Sequence, residues 1–470
     1  MSAPVLWIGL PLGVAAIFFF VRSPRTLAIQ GGSAAAFLSI AALLIPIDTA
    51  LVIGPISLKL GAATEILGRS FGFVQSDGAL LAFIYGTAAV WFFGSLPAGA
   101  GRRFVPLGMA IIALLVASLA VEPFLFAAPL IEIAAMLAVP LIIGPGHTPG
   151  NGILRFITYQ TLAVPFILLS GWMLAGVEAS PSDIAMTTQA AVMLGLGFAF
   201  LLAIYPLYTW IPMLAEETGP YVLGFMLWTL HVFSLVFAMG FLDRYAWLRT
   251  SPQLSDGIAL AAGVMIASAG WFAAFERHLG RIMALAAIAE TGLVLLALSL
   301  GASGSLEISF MLLLPRGIEL ALWALALSIL ARNSQSLFLQ DAEGLARNHP
   351  VAGAALILAN LSMAGLPLLA GFPARLLLGN ALNGQSNSLA PLLLVGLLGI
   401  LVASFRSLAA LFRPHSTDGW RLRETRLQVV MLGAGMGLLI ALGLFPQLTQ
   451  GFLSGLAGMF EHLAAEISML

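Results

Sequence analysis

Cysteine is absent from the 470 residues, which excludes a disulfide framework, a thiolate metal site and cysteine-ligated iron–sulfur clusters. Any redox chemistry therefore belongs to another chain. Lysine is almost absent: the twenty lysines and arginines include one lysine, Lys59, in a short polar connection. No buried lysine serves this chain as a proton carrier. Charge is scarce, at 9% of residues with a net −1, and no acidic or basic tract offers a nucleic-acid surface. No metal-ligand cluster and no cofactor fingerprint is expected. What is present is apolar, with 60% hydrophobic residues, a mean hydropathy of +1.03 and repeated runs of about twenty apolar residues. Such a chain reads as an all-α polytopic membrane protein, because a helix satisfies its own backbone in hydrocarbon. The first run, Pro4 to Val21, is followed by another, so it is expected to be a first helix rather than a removed leader.

Hydropathy predicts about fourteen spans, at roughly 4–21, 27–47, 78–97, 104–121, 124–143, 153–175, 187–206, 221–241, 257–274, 284–302, 308–330, 350–369 with a continuation to about 382, 388–411 and 427–446. Odd-numbered connections carry thirteen arginines, including Arg102, Arg103, Arg277 and Arg281, whereas even-numbered ones carry only Lys59, Arg69, Arg244 and Arg249. By the positive-inside rule both termini are expected on the non-cytoplasmic side of a bacterial-type inner membrane or an equivalent coupling membrane. Two stretches break the pattern: "YPLYTWIP", with Pro206 and Pro212, and "AGLPLLAGFP", with Pro367, Gly371 and Pro373. Each interior proline removes a helix bond. The two lie five spans apart, so spans four to eight and nine to thirteen read either as two copies of a five-helix unit, necessarily inverted, or as unrelated kinks. The corresponding divisions are 1–103, a three-helix segment; 104–250 and 251–412, the two repeats; and 413–470, the last span and tail.

Within the spans lie Glu132, His231, Glu290, Arg316, Glu319 and Arg375. At roughly 2.5–3.5 kcal/mol for each central charge, the five carboxylates and guanidiniums facing lipid would cost on the order of 15 kcal/mol. They are expected to face the bundle interior. Each has a plainer alternative. Arg316 and Glu319, three apart on one face, neutralise one another, or Arg316 snorkels from near the start of its span. Glu290 is a wet boundary residue, and His231 a structural imidazole. Glu132 is the deepest, with no basic neighbour within two turns. Arg375 cannot discharge by losing a proton, so it needs a carboxylate or the carbonyls of an opened helix; Glu319, on the neighbouring span, is the expected partner.

These segments resemble the antiporter-like subunits shared by respiratory complex I, by membrane-bound hydrogenases of the hydrogenase-4 and formate hydrogenlyase type, and by Mrp antiporters. The resemblance runs from about Phe71 to Pro446. It is carried by "RSFGFVQSDGALLAF" with Asp77 at the family's acidic position, "FAAPLIEIAAMLAVPLII" with Glu132 on the family's glutamate, "YPLYTWIP", "GRIMALAAIAETG", "DAEGLARNHPVAGAALILANLSMAGLPLLAGFPARLLL" and "LGLFPQLT". It implies fourteen helices in two inverted five-helix repeats, broken helices seven and twelve, and an axial row of ionisable groups with half-channels to each face. Arg375 falls on the family's ionisable position of span twelve and His231 on that of span eight. The departures are large: the lysine that partners the span-five glutamate is Leu201 here, the span-eleven histidine and lysine are Pro315 and Glu319, and a serine–histidine or serine–glutamine pair of span ten is Ala289 and Glu290. The family's histidine in the span-seven motif is Tyr208.

The resemblance implies a proton-translocating membrane subunit without a redox centre of its own, like those of NADH:quinone oxidoreductase or hydrogenase complexes. Its proton path is expected through Glu132, His231, Glu290, Glu319 and Arg375. Partners are other membrane subunits and a peripheral redox or soluble module, with protons or small cations as cargo. The alternatives are a non-conducting scaffold or coupling subunit, for which Leu201 speaks, and a membrane partner in inorganic-carbon uptake.

Overall fold

The computed structural model describes residues 2–53, 56–144, 148–179, 184–301, 304–383, 389–413, 420–460 and 462–463. Its helices in chain order are α1 (Leu10–Phe18), α2 (Pro24–Leu44), α3 (Gly78–Ala98), α4 (Phe104–Ala120), α5 (Ala127–Ile142), α6 (Asn151–Ala179), α7 (Ile184–Leu201), α8 (Trp210–Glu217), α9 (Pro220–Arg244), α10 (Ala246–Arg249), α11 (Pro252–Phe275), α12 (Leu279–Ser299), α13 (Ser305–Ala331), α14 (Leu345–Asn348), α15 (Pro350–Met363), α16 (Phe372–Asn383), α17 (Ala390–Phe412), α18 (Arg426–Leu444) and α19 (Gln450–Ala457). Among the described residues ten helices are long and apolar enough to cross a membrane, and four shorter apolar helices accompany them.

Starts and stops follow local chemistry. Ser23 and Ser251 each accept a hydrogen bond from a free N–H of the following first turn, and Pro24 and Pro252, whose missing N–H would have had no partner there, come next. Thr425 and Gln428 form a reciprocal capping box at the head of α18. Asp77 Oδ2 accepts from the Val74 N–H just before α3.

α9 and α12 are buried almost along their whole length, whereas α18 shows most of its surface. α13 is the hub: it packs on α3, α9, α12, α15, α16, α18 and α19. Its neighbours must come close, and a side chain at Gly317 would meet Thr87 of α3 and Trp228 of α9. Side chains on this hub are therefore shielded from lipid on every flank.

Strands also occur, which an all-α reading did not anticipate. β1 (Ala50–Ile53) pairs antiparallel with β2 (Ile56–Lys59), and β3 (Ala63–Ile66), β4 (Arg69–Gly72) and β5 (Val121–Glu122) form a second small sheet. Leu67 and Gly68, with φ of 52° and 72°, make the two-residue turn between β3 and β4, the positive-φ pair that a tight hairpin requires. β1 to β4 occupy the polar connection between α2 and α3, and β5 joins them from the connection between α4 and α5; all lie outside the long helices, so the membrane part remains helical.

Both expected interruptions are present. α7 stops at Leu201 and α8 resumes at Trp210; between them Ala203 has a φ of 51°. α15 stops at Met363 and α16 resumes at Phe372, with Gly365 and Leu368 at φ 81° and 76°. Pro206, Pro367 and Gly371 lie inside these openings. Pro212 and Pro373 do not: they sit in the first turns of α8 and α16, where a missing N–H leaves no helix bond unmade. Proline thus both opens each helix and restarts it.

Candidate functional site

Eleven residues separate Pro220 from His231 on α9, Leu279 from Glu290 on α12, and Ser305 from Arg316 on α13. Eleven residues of helix rise about 16 Å, close to half of a ~30 Å hydrocarbon core. The three helices therefore bring their ionisable groups to one depth. Two boundary readings fall with this. Glu290 is 2% exposed and central, because α12 begins earlier than hydropathy implied, where His278 Nδ1 accepts from the Arg281 N–H and caps the helix. Arg316 is fully buried and does not snorkel.

Arg375 follows the break in the helix pair α15 and α16. Its Nη2 donates to Glu290 Oε1 at 3.0 Å and to the Met363 carbonyl at 2.5 Å, and its Nη1 donates to the Gly371 carbonyl at 2.6 Å. Those carbonyls belong to the opened backbone, so the same break that frees them makes the cradle for the cation. Room for the guanidinium comes from two glycines: a Cβ on Gly365 would meet the Arg375 side chain, and one on Gly371 would meet both Arg375 and the Ser362 carbonyl. The expected partner, Glu319, is not the one observed. Glu319 Oε1 instead accepts from Ser362 Oγ at 2.5 Å, and that hydroxyl also accepts from the Gly371 N–H.

Arg316, for which a local pair with Glu319 is one of the open readings of the sequence, is central. Its Nη1 donates to Thr291 Oγ1 at 2.9 Å and its Nη2 to the Leu227 carbonyl at 3.3 Å. Thr291 adjoins Glu290, and Leu227 lies one turn before His231, so Arg316 ties the helix of the histidine to the helix of the glutamate. Among the described residues Arg316 and Glu319 form no ion pair with each other; one reaches toward α9 and α12, the other toward α15. The signal available in the sequence was the cation itself, since a buried guanidinium always needs partners. The three-residue spacing disguised it.

Among the described residues several polar atoms of this region have no hydrogen-bond partner: Glu290 Oε2, Glu319 Oε2, Arg316 Nε, Arg375 Nε and the amide of Asn360. Buried polar atoms left in this condition are costly, and water bound among them is the ordinary remedy. A cavity of about 490 Å³ lined by Tyr208, Thr209, Glu276, Arg281 and Leu285 opens beside α8. At its mouth Arg281 pairs with Glu216 at 3.1 Å and with Glu276 at 3.4 Å. His278, outside the span, has a pKa lowered mainly by burial.

Glu132 stands apart. It is half-buried on α5 beside exposed Ile133, and no described residue gives it a hydrogen bond or an ion pair. Leu201, at the family's lysine position, is buried among apolar side chains. The structure thus gathers His231, Glu290, Glu319 and Arg375 with Arg316, and leaves Glu132 out. Among the described residues no group of acids and histidines is arranged to hold a metal.

A family model described as NADH:quinone oxidoreductase/Mrp antiporter, transmembrane, matches residues 163–403. NADH-quinone oxidoreductase subunit N of Cereibacter sphaeroides is 27% identical over 271 residues, 56% of this chain and 58% of that protein. The chain spans less than two thirds of the length of the curated relatives it matches. A chain of respiratory complex I from Thermus thermophilus superposes with a TM-score of 0.80 at 18% identity, covering 98% of this chain and 99% of that one. A chain of the Mrp complex from Dietzia sp. does so with a TM-score of 0.81 at 17% identity, again over 98% and 99%. At these identities the two superpositions establish a common fold.

Proposed function

The chain belongs to the NADH:quinone oxidoreductase/Mrp antiporter family of membrane proteins, and we propose that it is a proton-translocating subunit of a multi-subunit complex whose path runs through the cluster of His231, Glu290, Glu319, Arg316 and Arg375. The observation that carries this is the buried cluster of two carboxylates, two guanidiniums and an imidazole with several polar atoms unpaired. Charges that served only to neutralise one another would be fully paired, since unmet polar atoms at this depth are expensive. Unpaired oxygens and nitrogens joined by water are places where a proton can rest.

Roles follow from the partners. The arginines do not release protons, so Arg375 and Arg316 set a fixed positive field. Glu290, ion-paired with Arg375, is the anion of the cluster. Glu319 has a hydroxyl rather than a guanidinium as its nearest donor and is the group that takes the proton. With both glutamates ionised the two arginines balance them; a proton on Glu319 leaves one positive charge in excess, which a neighbouring subunit can drive out by altering the field. His231 of α9, near the charge of Arg316, is the next relay. The cavity beside Tyr208 and Arg281 is the water-filled approach from one face.

Residues 104–250 and 251–412 form the two inverted repeats in this reading, flanked by 1–103 and 413–470. Both termini lie on the non-cytoplasmic side of the coupling membrane, as the arginine-rich odd connections support. The electron chemistry is held by a peripheral partner, because this chain has no cysteine to ligate a cluster. Glu132, half-exposed and without a counter-ion, faces a neighbouring membrane subunit. A second reading, a non-conducting scaffold, is favoured by one observation: Leu201 removes the cation that the family sets against this glutamate.

The test is Glu319→Gln in the assembled complex reconstituted into vesicles, with proton uptake followed by a pH-sensitive dye. Translocation is expected to collapse while the amount of assembled chain stays constant, since shape is kept and only the titrating group is lost. Undiminished translocation would leave the scaffold reading.

A further inference from the structure

Between α7, α9, α11 and the end of α12 lies a second cavity, of about 300 Å³. Its wall follows α7 from Ala191 to Leu202 and is completed by residues such as Phe241, Leu254 and Leu298; Gln253 is the single residue of the lining with a polar side chain. A space with so few hydrogen-bonding groups does not hold water. It is also not sealed. Gly195 of α7 and Gly257 of α11 are exposed members of the lining, and a side chain built on either would project into open space. The two glycines flank a lateral window between membrane helices.

The dimensions specify an occupant. From Ala191 to Leu202 the helix advances eleven residues, about 16 Å, which is the depth of one leaflet of a ~30 Å hydrocarbon core. One end of the cavity is at a membrane surface, because Gln253 is the second residue of α11 and Phe241 and Leu242 close α9. The other end is at the opening after α7, where Leu202 and Ile204 complete the lining. A polar mouth, an apolar shaft one leaflet deep and a side opening into the bilayer fit an extended hydrocarbon chain.

We propose that this cavity binds one acyl tail of a bilayer lipid, threaded past Gly195 and Gly257 with its headgroup level with Gln253. The tail then rests against Leu202 and Ile204 at the start of the first helix opening and keeps that end free of water. The inference uses only the membrane setting of the chain and stands whether or not the second half conducts protons. A polyisoprenoid tail, such as that of a membrane quinone, has the same linear apolar chemistry, so the source must be distinguished by experiment.

The full chain, in its complex, is reconstituted into phosphatidylcholine vesicles containing a trace of phosphatidylcholine with a photoreactive diazirine in the acyl chain. After irradiation the cross-links are mapped by mass spectrometry. The expected result is labelling of 191–204 and 253–261 several-fold above that of lipid-facing α17 and α18, abolished by Gly195→Trp and retained in Gly195→Ala. Gly257→Phe closes the window from the other rim and gives the same loss independently if Gly195→Trp does not fold, which thermal melting reports. Uniform labelling of all lipid-facing helices, or labelling that survives both closures in folded protein, overturns the proposal. Displacement of the label by a polyisoprenoid quinone at a mole fraction where extra unlabelled phosphatidylcholine has no effect overturns the lipid assignment in favour of the quinone tail.

Discussion

The two broken helices differ in what they were opened for. After α15 the freed carbonyls of Met363 and Gly371 hold a guanidinium, Glu290 of α12 pairs with it, and Glu319 of α13 and Ser362 of α15 bond each other in the same cluster. After α7 the first part of the freed segment, Leu202 and Ile204, runs beside a dry cavity while Tyr208 and Thr209 at its end line the polar one, and the intramembrane acid of that half, Glu132, lies elsewhere with no cation among the described residues. The same backbone device thus cradles a charge in one half and divides a dry cavity from a polar one in the other. An interrupted membrane helix is therefore no evidence of an ion site by itself; what fills the opening decides.

The sharpest way to break this contrast is Arg375→Ala. It strips Glu290 of its ion-pair partner, and removing one member of a buried pair costs about 3–5 kcal/mol unless the glutamate takes up a proton. The expected outcome, read by blue-native gels and dye-monitored uptake, is reduced assembly and complete loss of translocation in whatever assembles. Full activity would show that the opening after α15 needs no cation.

Gly371→Ala should come next, at about 1–3 kcal/mol by analogy with overpacked cores, because the added methyl meets the Ser362 carbonyl and the arginine head. Thermal unfolding in detergent measures it. Its counterpart in the first half is Ala203→Gly. Ala203 already holds a left-handed φ of 51°, a conformation that costs a non-glycine residue roughly 1–2 kcal/mol, so glycine there should stabilise slightly and leave translocation alone. A loss of translocation in Ala203→Gly would mean that the start of the first opening, beside the dry cavity, is also part of the path.

Acid should act through His278. Its pKa is lowered by burial, and its Nδ1 is needed as the acceptor that caps α12. Above the unfolded value of about 6.5 neither state is protonated and nothing changes. Below it the unfolded chain takes a proton that the folded chain refuses, so stability falls as pH drops toward the folded pKa. Melting curves between pH 7 and 5 should show this decline, and His278→Asn, which keeps a capping oxygen, should flatten it. The smallest effect is expected from Glu132→Gln: translocation near the parent value. A large loss there would restore the first half to the path.

Much of this was legible in residues. Pairs of prolines marked both openings, and Arg375 announced that something near it must be polar. Its partner was misread because hydropathy started span ten five residues late, which placed Glu290 near a boundary when it stands at mid-span. Arg316 was hidden by a sound local rule, since side chains three apart on a helix usually meet; here α13 is surrounded, and tertiary partners on α9 and α12 outcompete the local one. The strands around 50–72 were missed because four-residue β segments lie below the length that a membrane-span window resolves. The isolation of Glu132 had no sequence signal beyond Leu201, since which flank of α5 faces outward is settled by packing.

The equal eleven-residue offsets of His231, Glu290 and Arg316 have an electrical meaning. A charge moved across a whole membrane gains or loses about 2.3 kcal/mol per 100 mV, so a proton reaching this depth from either face crosses about half of that drop, about 1.2 kcal/mol per 100 mV. At a membrane voltage of that size the occupancy of Glu319 would shift several-fold as access turns from one face to the other. The cluster sits where the voltage is shared evenly between loading and release.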